Sequence, residues 1–156
     1  MPMPGDARAF ELGTDGPSTI VVGVDGSTTS LRAGWYAAGL ARRQGARIVA
    51  VYVGTLAPAA MSATGAAELA TARLDDFHTL AEELRQRAQL AARELGISVS
   101  FIATRGDPFS ELRRIADEVR ADAIVVGASS KAGHRFVGSL AVRLVRASKW
   151  PVTVVP

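Results

Sequence analysis

The chain has no cysteine among its 156 residues, which excludes disulfides, thiolate nucleophiles and cysteine-based metal sites and suits a reducing compartment. Its two imidazoles, His78 and His134, are too far apart in sequence to suggest a metal pair. No serine is tied to either at a catalytic spacing, so a dedicated enzyme is not expected. Aromatics are scarce at 6%, and the basic residues form no stripe, so a nucleic-acid surface built from cations and stacking rings is not expected either. Lysine and arginine exceed aspartate and glutamate only by 18 to 15. The densest basic pairs, Arg42-Arg43 and Arg113-Arg114, read as solvated helix faces. No segment reaches the ~18 uninterrupted apolar residues of a membrane span, because Ala57 to Ala67 is broken by Pro58 and Gly65. Met1 to Asp6 shows no basic stretch leading into an apolar run. A soluble, cytoplasmic protein without a membrane partner is the expectation.

Several nucleotide signatures are missing as well. The loop Gly23-Val24-Asp25-Gly26-Ser27-Thr28 lacks the third glycine of the dinucleotide fingerprint, and Gly127 is followed by Gly133 and His134 rather than by a glycine-lysine pair. No Ser-Gly-Gly-x-Asp-Ser loop follows the first strand. Dehydrogenases, P-loop motors and adenylating ligases are disfavoured.

What is present is a regular alternation. A chain of this length buries roughly 68 to 70% of its unfolded surface and sustains one core. Residues 1 to 17, rich in Pro, Gly and small polar types, are expected to be a flexible arm, and residues 18 to 156 a single domain. Ile20 to Val24 is a β-branched run of the kind buried on both faces of a parallel sheet. Thr28 to Gln44 carries Leu31, Trp35 and Ala38 at helical spacing and stops at Gly45. Arg47 to Val53 is the second strand. Leu74, Phe77, Ala81, Leu84, Ala88, Ala91 and Leu95 form the seam of one long helix closing at Gly96. Ile97 to Ala103 is the third strand, whose alternation suits a sheet edge. Asp107-Pro108 opens a helix with Phe109, Leu112, Ala116 and Val119 on its buried side. Ala123 to Val126, Gly138 to Lys149 and Val152 to Val155 complete the series. Such β-α alternation predicts an open parallel five-stranded α/β sheet, flavodoxin-like, with helices on both faces; with strands one and four as central neighbours the expected strand order is 3-2-1-4-5.

Ligands of these sheets sit at the carboxyl ends of the strands, where the winding reverses. Here that crevice is lined by Val24, Asp25, Val53 and the loop after Gly127. The loop ends at Gly138-Ser139, where a helix start offers unpaired N-H groups to an anion such as phosphate. Ser129, Ser130, Lys131 and Arg135 add hydroxyls and positive charge. The plain alternative is a helix-capping connection, with Asp25 a cap of the first helix.

The stretch Ile20 to Ser27, the strand Val49 to Val53, the helix start Gly106-Asp107-Pro108, and Val125-Val126-Gly127 through Gly138-Ser139 to Trp150-Pro151-Val152-Thr153-Val154-Val155 together resemble the universal stress protein family. The resemblance covers residues 19 to 156. It implies an adenine nucleotide (ATP, AMP or cyclic AMP), optionally with Mg, bound without efficient turnover by a stress-response sensor or adaptor. It assigns nucleoside contact to Asp25, adenine contact to main chain near Val53, and ribose-phosphate contact to a loop of the form Gly-x2-Gly-x9-Gly-Ser/Thr. Gly127 matches the first glycine, and Gly138 with Ser139 the closing pair. Ser130 replaces the second glycine, and seven residues rather than nine separate it from Gly138, a shortening of up to roughly 7 Å of contour. The expected consequence is that a mononucleotide or cyclic nucleotide fits more securely than a fully gripped triphosphate. The resemblance also implies a homodimer through the edge strand Val152 to Val155, which would otherwise be shielded by Trp150 and the arm. A dimeric interaction module whose pocket holds no nucleotide is the rival expectation.

Overall fold

The structure is a computed structural model that describes residues 16–55, 65–129 and 138–156. Five strands, β1 (Thr19–Gly23), β2 (Arg47–Gly54), β3 (Val99–Arg105), β4 (Ala123–Gly127) and β5 (Val152–Val155), alternate with four helices, α1 (Thr28–Gln44), α2 (Ala66–Leu95), α3 (Pro108–Glu118) and α4 (Ser139–Arg146). All strands pair in parallel in the order β3-β2-β1-β4-β5, as the alternation predicts. The direction of winding reverses between β1 and β4. The chain leaves their carboxyl ends toward opposite faces of the sheet, α1 on one side and α4 on the other, which opens a crevice there.

Successive strand residues point to opposite faces, and the core divides accordingly. Ile20, Val22, Ile48 and Ala50 pack with the alanines of α1 on one side. Val21, Val49, Val51, Ile124 and Val126 pack with Leu112, Ile115 and Leu144 of α3 and α4 on the other. The third strand is the edge strand its alternation implied. It begins two residues later than expected because Ile97 N still donates to Ala92 O, completing the turn around Gly96. At its far end it runs on to Arg105, opposite Gly54. The last helix stops at Arg146 rather than Lys149, where Ser148 takes a left-handed φ of 51°.

The expected stripe on α1 holds at Ala38, which is buried, and is corrected at Trp35. The buried residues of α1 are Ser30, Ala33, Ala37, Ala38 and Ala41, whereas Trp35 is 58% exposed. The first turn of the helix comes against the end of β4 closely enough that a Cβ at Gly127 would lie 2.5 Å from Thr29 C, and small residues line the rest of the buried face.

Asp107 ties the opposite face together. Its carboxylate caps α3 by accepting from Ser110 N at 3.0 Å and from Ser110 Oγ at 2.8 Å. It also pairs with Arg143 of α4 at 3.0 and 3.3 Å, whose guanidinium lies 4.3 Å from the Phe109 ring centroid. The Arg143 hydrogen bond, then those from Ser110, pull the Asp107 carboxyl from its usual 3.8 down to about 2. A depressed carboxylate contributes stability that is present above its unfolded value and is lost as pH falls through the folded one. Asp107→Ala should cost about 1 kcal/mol at neutral pH through the lost cap. In urea melts, its deficit against the wild type should shrink between pH 4 and pH 2; a deficit constant across that window would contradict the assignment.

Candidate functional site

The tip of β1 is held in place by backbone pairing and a tight turn. Val24 N donates to Val51 O at 2.9 Å, extending the ladder one residue past Gly23. Asp25 Oδ1 accepts from Ser27 N at 2.8 Å, and Gly26 takes a φ of +83°, a conformation that favours glycine. Ser27 then caps α1, its Oγ accepting from Ser30 N at 3.2 Å. Ser30 Oγ closes the turn by accepting from Asp25 N at 3.1 Å and donating to Ser27 O at 3.1 Å. The helix cap is thus Ser27, not Asp25. The Asp25 residue remains solvent-exposed beside the crevice. Burial first, and the Asp25 charge second, push the Tyr52 phenol above its usual 10.0.

At the tip of β4, Gly127 is required by contact. A Cβ there would sit 2.5 Å from Thr29 C and 2.6 Å from Ser30 N, both backbone atoms of the first turn of α1. Thr29 Oγ1 locks this approach by donating to Ala128 O at 2.6 Å. Two residues on, a Cβ at Gly138 would lie 2.7 Å from Ser129 Cβ, so the two ends of the loop are in contact. Gly138 is the N-cap of α4 and supplies no side-chain cap; Ser139, the first helical residue, is exposed. The amino ends of two helices therefore converge on the three-residue stretch Gly127-Ala128-Ser129. Each carries roughly half a positive charge, and together they favour an anion at this point.

Of the sequence-predicted residues, Val24, Asp25, Gly127, Ser129, Gly138 and Ser139 are brought together around these two strand tips. Val53 lies at the end of the adjacent β2, its side chain packed on the α3/α4 side, so only its main chain is available to the crevice. Ser130, Lys131, His134 and Arg135 lie outside the described residues, as do both 56–64 and the rest of the loop 130–137. Three participants escaped the sequence reading. Ser27 is a serine immediately before a helix and was readable as the cap. Thr29 and Tyr52 carry no local signal, since their roles depend on which strands are neighbours. His78 is exposed and lies in an edge-type ring contact with Phe77. Among the described residues no group of three or more His, Asp or Glu side chains could hold a metal ion.

The family model of the universal stress protein family matches residues 17–156. The chain belongs to the universal stress protein family. A universal stress protein of Methanocaldococcus jannaschii is 31% identical over 139 residues, covering 87% of this chain and 80% of its relative. Among solved structures, the universal stress protein UspA from Lactobacillus plantarum superposes with a TM-score of 0.77 at 25% identity, over 89% of this chain and 97% of that one. A universal stress protein solved in complex with cyclic AMP superposes with a TM-score of 0.66 at 27% identity, over 90% of this chain and 97% of that one. No described helix of this universal stress protein is long and apolar enough to cross a membrane.

Proposed function

We propose that this protein binds an adenine nucleotide at the tips of β1 and β4 and acts as a stress-response sensor or adaptor rather than as an efficient catalyst. The observation that carries the reading is the convergence of the α1 and α4 amino ends on Gly127 to Ser129, with the Asp25 carboxylate at the neighbouring strand tip. In this assignment the phosphate lies against Gly138, Ser139 and Ser129, where main-chain N-H groups and hydroxyls can donate to it. Asp25 accepts from the ribose hydroxyls, and the main chain near Val53 meets the adenine. A related protein holding cyclic AMP supports the ligand class. Ser130 and the shortened loop favour a mononucleotide or cyclic nucleotide over a triphosphate, so Mg is not needed to neutralise the ligand. The outer edge of β5, whose four residues are all partly exposed, is the surface for pairing with a second copy.

Calorimetric titration tests this reading. Saturable binding of AMP or cyclic AMP is expected, with ATP no tighter. Asp25→Ala should weaken binding by about 10- to 100-fold, the range for one lost hydrogen bond to a charged group. Asp25→Asn retains the acceptor for Ser27 N and should weaken it less. ATP bound far more tightly than AMP would contradict the short-loop argument. Absence of saturable binding by any of the three would leave the chain as a dimeric interaction module.

A further inference from the structure

A second concavity runs back from the tip of β1, where Val24 and Ser30 line its end. Between α1 and α2, over β1, β2 and β3, is a cavity of about 340 Å³ floored by Val22, Ile48 and Ala50. Its size falls within the roughly 300 to 1,000 Å³ of small-molecule sites. It exists because the facing helix surfaces are small: Gly34 and Ala38 on α1, Ala88 and Ala91 on α2. A Cβ added at Gly34 would meet nothing within 4 Å. Trp35 on α1 and Leu90 on α2, 58% and 54% exposed, stand at the mouth.

The lining restricts what can enter. Among the described residues Ser30 contributes the one hydroxyl of the lining, and that Oγ is already engaged with Asp25 N and Ser27 O. A polar body such as a sugar or nucleoside would lose its hydration there without replacement. Charge is confined to Arg87 and Glu94, both exposed and neither in an ion pair among the described residues. They stand two helical turns apart, about 10 Å along α2, so an anionic head is drawn to one end of the mouth and repelled from the other.

We propose that this cavity binds a small hydrocarbon-tailed carboxylate, its chain laid over Val22, Ile48 and Ala50 between α1 and α2 and its head at Arg87. The ligand differs from the nucleotide in chemistry, and its chain lies beyond Val24, where the two sites adjoin.

The test uses the Trp150→Phe protein, which leaves Trp35 as the one remaining tryptophan of the two. Titration with decanoate should shift Trp35 emission to the blue in a saturable way. Arg87→Ala should weaken decanoate by about 5- to 10-fold while leaving decanol unchanged. Gly34→Leu, placed where there is room for a side chain, should fill the cavity and abolish the response to both. Ala88→Leu is the second filling variant, and far-ultraviolet circular dichroism establishes that each is folded. No saturable shift, or an undiminished shift in both filled and folded variants, would overturn the proposal. A blue shift that grows with protein concentration in the absence of decanoate would overturn it in favour of a second copy covering this face.

Discussion

Gly127→Ala is expected to lower the stability of the domain by about 3 kcal/mol, the upper part of the range for an overpacked contact. The added methyl would sit 2.5 Å from Thr29 C, 2.6 Å from Ser30 N and 2.7 Å from Thr29 O. These are backbone atoms, which cannot rotate aside as a side-chain terminus would, so α1 must withdraw from the end of β4. Withdrawal breaks the 2.6 Å bond from Thr29 Oγ1 to Ala128 O and moves the turn that carries Asp25. Nucleotide affinity should therefore fall in the fraction that remains folded. Gly34→Ala is the control within the same helix: the methyl meets nothing, and removing a mid-helix glycine should stabilise by about 0.5 to 1 kcal/mol. Urea unfolding of the two variants should give midpoint shifts of opposite sign. Equal shifts would mean that the closeness of α1 and β4 is not what Gly127 serves.

Leu112→Ala is expected to cost about 2 to 5 kcal/mol, the transfer term plus the cavity left behind. Leu112 is 2% exposed and sits among Val21, Val49, Val51 and Ile124. Its Cδ1 lies 3.5 Å from where a Cβ of Gly23 would be, so the void opens directly under the last residue of β1. Leu90→Ala, at an exposed position of α2, should change stability by less than about 0.5 kcal/mol. The comparison separates the two leucines by burial alone, and thermal or urea melts with unequal midpoints read it out. A small effect at Leu112 would show that α3 is not packed on the sheet as described.

Both large effects lie where the sequence was most and least informative. The strands of this domain were legible because β-branched runs such as Ile20 to Val22 and Ile124 to Val126 have no other stable use than a covered parallel sheet. Gly45, Gly96 and Asp107-Pro108 marked helix ends through backbone chemistry that acts locally. Alternation and crossover handedness required a parallel sheet with helices on both faces, while the order 3-2-1-4-5 rested on the further premise that strands one and four are central neighbours. The buried stripe of α1 was not legible. Hydrophobicity pointed to Leu31 and Trp35, but the buried residues are Ser30 and the alanines Ala33, Ala37, Ala38 and Ala41, and at the first turn the contact with Gly127 is one that no local pattern encodes. The same limit applies at the site. Asp25, Gly127, Gly138 and Ser139 could be named because glycine and acidic residues at strand ends carry positional meaning. The bond from Thr29 to Ala128, and the influence of Asp25 on Tyr52, arise between residues far apart in the chain, and no local pattern encodes them.

The central claim is that a nucleotide occupies the crevice between the tips of β1 and β4. Amide chemical-shift mapping of the labelled protein during an AMP titration tests it most directly. The account predicts saturable shifts at Asp25, Gly127, Ser129 and Ser139, with smaller ones near Val53, and none along the edge strand β3. Saturable shifts confined to other surfaces, or none at any of these amides, would contradict it.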